Sequence, residues 1–385
     1  MHGQKASAVL AGSLAAAIVL GPGAFAHASG FHVTNLVSDG AVPAAVTDPN
    51  LVNPWGIASS PTSPFWIADN GTGVSTLYNS VGTPVPLVVT IPGFGGSGTP
   101  SGAVFNPTTG FQVSSGGKTG PAAFLFATED GSIAGWAPTV SSTNAITAVN
   151  NNDGGTGAVY KGLTMASIGS SSFLYATNFR AGDVEMYNSS FGLVGAFTDP
   201  GVAPGYAPFN VQNLGGDLYV TFALQDAAKH DDVAGPGHGY VDVFSPSGTL
   251  LRRLVSLGGE VNSPWGLDIA PKGFGAVGGD LLVGNFGDGT ISVFNPVTGT
   301  FEGKLLGGNG MPIVEGDLWG LINGNGGSGG SPNDVYFTAG VAHEADGLFG
   351  SINFVPEPGA WALMLVGFGW AGAALRRSRA SLQRA

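Results

Sequence analysis

Six copies of one short pattern constrain this 385-residue chain more than any other feature. Each copy opens with a small-residue apolar segment: PWGIA from Pro54, SGAVF from Ser101, KGLTM from Lys161, PWGLD from Pro264 and LWGLI from Leu318. APFNV from Ala207 fills the same place in the fourth copy, without the glycine. The period is roughly 46 to 60 residues, which marks a repeat architecture. A second apolar segment follows from Phe65, Phe124, Phe173, Asp217, Asp280 and Asp334. A third opens on Gly73, Gly131, Gly182, Gly239, Gly289 and Gly347. A fourth occurs five times, from Pro86, Ala145, Leu193, Leu250 and Phe301.

Four strands in each of six units predict an all-β, six-bladed β-propeller over residues 29–354. Innermost strands crowd the axis, where a Cβ is costly and Gly or Ala fits. The last unit lacks a fourth strand, and the alternating segment Phe31 to Val37 has no unit of its own. The spare strand is expected to pair with residues 347–354 as the outer strand of blade six, closing the ring and removing an exposed edge. A flat β-solenoid is the rival architecture, but it needs shorter and more regular repeats. The 66 glycines are interleaved with Val, Ile, Leu, Phe and Tyr, so they read as tight turns between short strands rather than disorder. The chain has no cysteine, which excludes disulfides, thiolate metal sites and cysteine nucleophiles.

The two ends read as addresses. Lys5, the apolar run from Ala8 to Leu20 and Ala26-His27-Ala28 make a signal peptide over residues 1–28. At the other end, residues 355–385 hold Pro356-Glu357-Pro358, an apolar run from Gly359 to Leu375 and Arg376-Arg377. As a helix, that run would span about 25 Å, the short end of the transmembrane range. Its arginines would face the cytoplasm. The tail resembles the PEP-CTERM sorting signal of Gram-negative bacteria. The resemblance implies signal peptidase and an exosortase as processing partners. It also implies an inner-membrane-inserted precursor, then a place at the cell surface or in the extracellular matrix. Five of the 13 basic residues lie in these two segments, so the part between them is more acidic than the whole chain at −12. Nucleic acid is excluded as a partner on that balance, and cations are favoured.

The spaced segments FWIADNGTGVSTLYN, LYATNFRAGDVEMYN, YAPFNVQNLGGDLYVTFALQDAAKHDDVAG and GDLLVGNFGDGTISVFNP resemble an uncharacterised family of exported bacterial β-propeller proteins. The resemblance covers Leu51 to Ile352 and implies the fold, but transfers no reaction. More loosely, the repeats resemble NHL-type and lactonase-like propellers.

One face of such a ring would carry the turns between second and third strands. There fall Asp69 and Asn70, Glu129 and Asp130, Asn178 and Arg180, Gln225 and Asp226, Asn285 and Asp288, and His343 and Glu344. A ring of oxygen ligands suits Ca²⁺ or another divalent cation, with Glu129, Asn178, Asn285 and His343 as the expected metal set. The other reading is that Asp and Asn before glycine only form turns. The stretch QDAAKHDDVAGPGH from Gln225 to His238 is a long insertion carrying Asp226, His230, Asp231, Asp232 and His238, suited to ligand or metal binding. It reads equally as a solvated loop. Trp55, Trp265 and Trp319 precede equivalent glycines and could either stack on a sugar ring or pack between blades. No HExxH signature occurs. The expected role is therefore a binding or structural module for a glycan or protein partner. The alternative is a metal-dependent, lactonase-like hydrolase or lyase, with a divalent ion polarising a carbonyl or activating water.

Overall fold

A short strand with one apolar face is not stable alone, and these strands bury their faces against the next sheet in the ring. In the computed structural model, which describes residues 30–356, the chain forms six antiparallel blades of four strands, ordered from inner to outer as they occur in sequence. Blade 1 holds Pro54–Ala58, Phe65–Asp69, Val74–Tyr78 and Val89–Thr90. Blade 2 holds Pro100–Phe105, Phe124–Thr128, Ser132–Trp136 and Ile146–Asn150. Blade 3 holds Tyr160–Ile168, Ser171–Asn178, Asp183–Tyr187 and Leu193–Phe197. Blade 4 holds Tyr206–Leu214, Asp217–Leu224, Tyr240–Phe244 and Leu250–Val255. Blade 5 holds Pro264–Ile269, Leu281–Asn285, Ile291–Phe294 and Phe301–Lys304. Blade 6 holds Leu318–Asn323, Val335–Ala339 and Leu348–Val355.

The outer strand of blade 6 is Gly30–Ser38, as the strand arithmetic predicts. It runs antiparallel to Leu348–Val355, with Phe31 opposite Phe354 and Val37 opposite Phe349. A bulge between Asn35 and Val37 switches which residues face inward. Phe31 also bonds through its backbone to Leu306 and Gly308 of the preceding blade, at 3.0 and 3.1 Å. A two-residue strand, Val46–Thr47, extends this sheet in parallel.

The inner glycines have a measurable reason. A Cβ on Gly56 would lie 2.6 Å from the Ser101 carbonyl oxygen and 2.7 Å from the Ala103 nitrogen of the next blade. One on Gly320 would lie 2.8 Å from the Trp55 carbonyl oxygen across the closure of the ring. Each inner strand is bulged against its neighbour at this level, and a second-strand threonine hydroxyl accepts from the bulge N–H in blades 3, 4 and 6. Thr338 Oγ1 accepts from Gly320 N at 2.8 Å and donates to the Trp55 carbonyl at 2.6 Å. Thr177 repeats the arrangement between Gly162 and Phe209. In the fourth copy Asn210 stands in place of glycine, and its Nδ2 reaches the Trp265 carbonyl at 2.8 Å.

Two features depart from the strand expectations. The outer strand of blade 1 is shorter than the segment from Pro86 suggests, and two short hairpins were not foreseen: Pro92–Gly93 with Gly96–Ser97, and Gln112–Ser115 with Lys118–Pro121. The expected signal peptide over residues 1–28 and the expected sorting tail from Glu357 onward, with Pro358, Arg376 and Arg377, lie outside the described residues. Among the described residues no helix is long and apolar enough to cross a membrane.

Candidate functional site: the upper axial mouth

The residue before each inner glycine lies on the propeller axis. Aligned by register, the six are Trp55, Ser101, Lys161, Phe209, Trp265 and Trp319. The four aromatic members come from blades 1, 4, 5 and 6 and pack together with Phe179 and Phe286. Trp55 stacks on Trp319 with ring centroids 3.6 Å apart, and Phe286 stacks on the other partner at 4.2 Å. Trp265 meets Trp319 edge-on at 5.7 Å. The three tryptophans are 2%, 5% and 1% exposed. This corrects the sugar-stacking reading of Trp55, Trp265 and Trp319: their faces are spent on one another, and together they plug the axis.

Lys161 is the one charged member of that ring. Its ammonium sits 4.9 Å above the Trp55 ring centre, with the side chain only 1% exposed. It forms an ion pair with Glu129 of blade 2, and a second with Asp231 Oδ1 at 3.1 Å. Burial works against its charge, but the two carboxylates outweigh burial and hold its pKa above the ordinary lysine range. Glu129 is oriented from the far side by Asn70, whose Nδ2 donates to Oε2 at 2.8 Å.

Asp231 belongs to the long insertion of blade 4, which folds inward rather than out into solvent. Gln225 and Asp232 bridge its base, and the Gln225 amide donates to the Phe179 carbonyl. Asp226 caps the tip, its Oδ1 accepting from His230 N at 2.8 Å and Asp231 N at 3.3 Å. His230 Nδ1 lies 2.9 Å from Asp231 Oδ1. That hydrogen bond raises the His230 pKa. The same bond, with the Lys161 charge and against burial, holds Asp231 well below the usual carboxylate range. Beneath them, burial pushes Asp232 up to about 6. His238 lies away from this group. Its ring contacts the Val233 carbonyl at 3.0 Å and holds the descending arm of the loop.

Blade 6 contributes Glu344. It sits on three consecutive left-handed residues, Ala342, His343 and Glu344, with φ of 60°, 59° and 64°. Each such non-glycine residue costs about 1–3 kcal/mol. The turn is held by Asp317, whose Oδ2 accepts from His343 N at 2.8 Å. Glu344 accepts from Asn53 Nδ2 at 2.8 Å, and Asn53 Oδ1 accepts from the Trp319 indole at 3.1 Å. Burial, with Glu129 nearby, pushes Glu344 up to about 7.

The expected metal set is not assembled. Asn178 donates to Glu185 Oε1 at 2.8 Å and accepts from Val159 N and Ala181 N, so it serves its own blade. Asn285 is likewise spent on Asn262, Thr290 and Ser292. His343 is exposed on its turn. Only Glu129 of the four reaches the axis. Glu129, His230 and Asp231 do offer three ligand atoms within 4.8 Å of one another. The Lys161 ammonium already bridges the two carboxylates where a divalent cation would sit, so the residues present do not fit such an ion. Sequence reasoning passed over Lys161. Its signal was the repeat alignment, which sets one lysine among aromatic residues at the axial position.

No family model matches the chain. Three solved structures resemble it at low identity. The luciferin-regenerating enzyme is 13% identical with a TM-score of 0.49, covering 85% of this chain and 97% of that one. A streptogramin B lyase is 10% identical with a TM-score of 0.47, covering 84% and 98%. The PQQ-bound aldose sugar dehydrogenase of Streptomyces coelicolor is 13% identical with a TM-score of 0.48, covering 85% and 99%. In sequence, the chain is similar to two proteins of Acanthamoeba polyphaga mimivirus. Uncharacterized protein R648 is 32% identical over 334 residues, 83% of this chain and 79% of the relative. Uncharacterized protein L690 is 32% identical over 333 residues, 83% of this chain and 85% of the relative. At that identity and coverage the chain belongs to the same family as these mimivirus proteins.

Proposed function

We propose that the protein is an exported cell-surface or matrix propeller that binds a glycan or protein partner through the upper axial mouth. The observation that carries this reading is the blade-4 loop. It displays Asp231 and His230 to solvent above an axis sealed by aromatic rings, with the loop anchored through Asp231 to the buried Lys161. A fixed base under an exposed set of donors and acceptors suits recognition, because little ordering remains to be done on binding. The export reading rests on the signal-peptide pattern and on Pro356, Glu357, Pro358, Arg376 and Arg377.

The test is binding of the purified protein to the exopolysaccharide and envelope fractions of the producing cell. Asp231→Ala is expected to weaken capture about tenfold and, by breaking the Lys161–Asp231 pair, to lower the melt; His230→Ala, which leaves that pair in place, is expected to weaken capture with a melt close to the parent's. A panel with no ligand, together with turnover of any small ester or lactone, reverses the reading toward an enzyme.

A further inference from the structure

The opposite mouth of the ring holds a second cavity that the reading above does not use. Below the aromatic plug, at the level of the inner glycines, lies a chamber of about 20 Å³ lined by Gly56, Gly102, Asn210, Gln212, Trp265 and Gly320. That is room for about one small polar atom group or a water. A funnel of about 300 Å³ reaches it from the lower face and shares Ile57, Ala103 and Gln212 with the chamber. Its walls are supplied by blades 1, 2, 3, 4 and 6, with Ile57, Val104, Phe105, Met165 and Ile322 giving them an apolar character. The volume is that of a small-molecule site, with these apolar side chains set among polar ones from Ser59, Thr164, Gln212 and Asn213.

The polar groups at the tip point to the kind of molecule. Trp265 lines the inner chamber, is 5% exposed, and keeps its indole N–H buried without a partner. A buried donor left unsatisfied costs about 1–3 kcal/mol, which an acceptor in the chamber would recover. Gln212 is half-buried at the junction of chamber and funnel and offers a second amide donor. Of the neighbouring polar residues, Thr164 and Asn213 are already committed. Thr164 Oγ1 accepts from Asn213 N at 3.2 Å, and Asn213 Nδ2 donates to the Met165 carbonyl at 2.8 Å. No charged side chain lines either space. The geometry points to a binding site on the lower axis for a small uncharged molecule, an apolar body in the funnel with a carbonyl or ether oxygen directed at Trp265 and Gln212.

The test titrates the full chain with prodan, an uncharged naphthalene ketone whose emission moves to the blue in apolar surroundings. One saturable site per chain with blue-shifted emission is expected. Ser59→Trp, which narrows the funnel rim, weakens binding about tenfold or more. Gln212→Leu keeps the volume, removes the amide, and weakens binding about fivefold. Val297→Ser removes an exposed outer valine, 74% accessible, and leaves the titration unchanged. Melting curves of all variants confirm folding. Unsaturable binding, or equal binding by wild type, Ser59→Trp and Gln212→Leu, overturns the site. A loss in Val297→Ser equal to that in Ser59→Trp also overturns it, by assigning the dye to the outer surface.

Discussion

Phe31→Ala tests ring closure most sharply. Phe31 is 9% exposed and packs its ring 4.5 Å from Phe274 and 5.6 Å from Phe354. It joins three pieces of chain that are remote in sequence: the first described strand, the last, and the blade-5 segment near Phe274. Removing a buried phenylalanine from a packed core costs about 3–5 kcal/mol. For a domain of this size, each kcal/mol lowers the melting temperature by about 2 °C, so a drop of about 6–10 °C is expected. His32 lies next along the strand with its side chain exposed, and His32→Ala should melt within about 1 °C of the parent, as surface changes usually do. Differential scanning calorimetry at fixed pH and scan rate reads both. If Phe31→Ala melts with wild type, the strand Gly30–Ser38 contributes no closure and the account of blade 6 fails.

Gly56→Ala should destabilise by about 1–3 kcal/mol, because its Cβ would meet backbone atoms of the next blade. Gly316→Ala, with open space around it, should not; equal melts would refute the packing account of the inner glycines. Lys161→Met leaves Glu129 and Asp231 without their cation. Breaking such a pair costs about 3 kcal/mol, and the variant should acquire Zn²⁺ binding by calorimetry that the parent lacks. Zn²⁺ binding of equal strength in both proteins would show that the lysine does not hold the cation position. Asp268 is buried with one oxygen unpartnered, and burial pushes its pKa up to about 8 from an ordinary 3.8. The folded state thus holds a proton that the unfolded state has released, so this group's contribution falls as pH rises from about 4 to about 8. Asp268→Asn should flatten that part of the stability profile in urea melts, and an unchanged slope would contradict the assignment.

The architecture was open to reading because it is written in local periodicity. Short strands punctuated by glycine at Gly73, Gly131, Gly182, Gly239, Gly289 and Gly347 are set by neighbours a few residues away. A count of five outer strands for six blades then sufficed to place Phe31 to Val37. The axial chemistry was not open in the same way. At Asp69, Asn178 and Asn285 one residue type serves both turns and ligands. Whether a carboxyamide faces its own turn or the axis is decided by partners such as Glu185 and Ser292. The loop from Gln225 to His238 was visible as an insertion, but its inward fold was not.

The sequence by itself determined the strand pattern, the six-fold count and the need for a closing strand, because each follows from steric and hydrophobic demands within one repeat. Tertiary structure alone decided what the axis does with Trp55, Trp265 and Trp319, and that Lys161 meets Asp231 from 70 residues away and Asn53 meets Glu344 from 291 away. Ring closure brings six strand ends to one point. There, charge and burial are properties of the assembled set rather than of any single repeat.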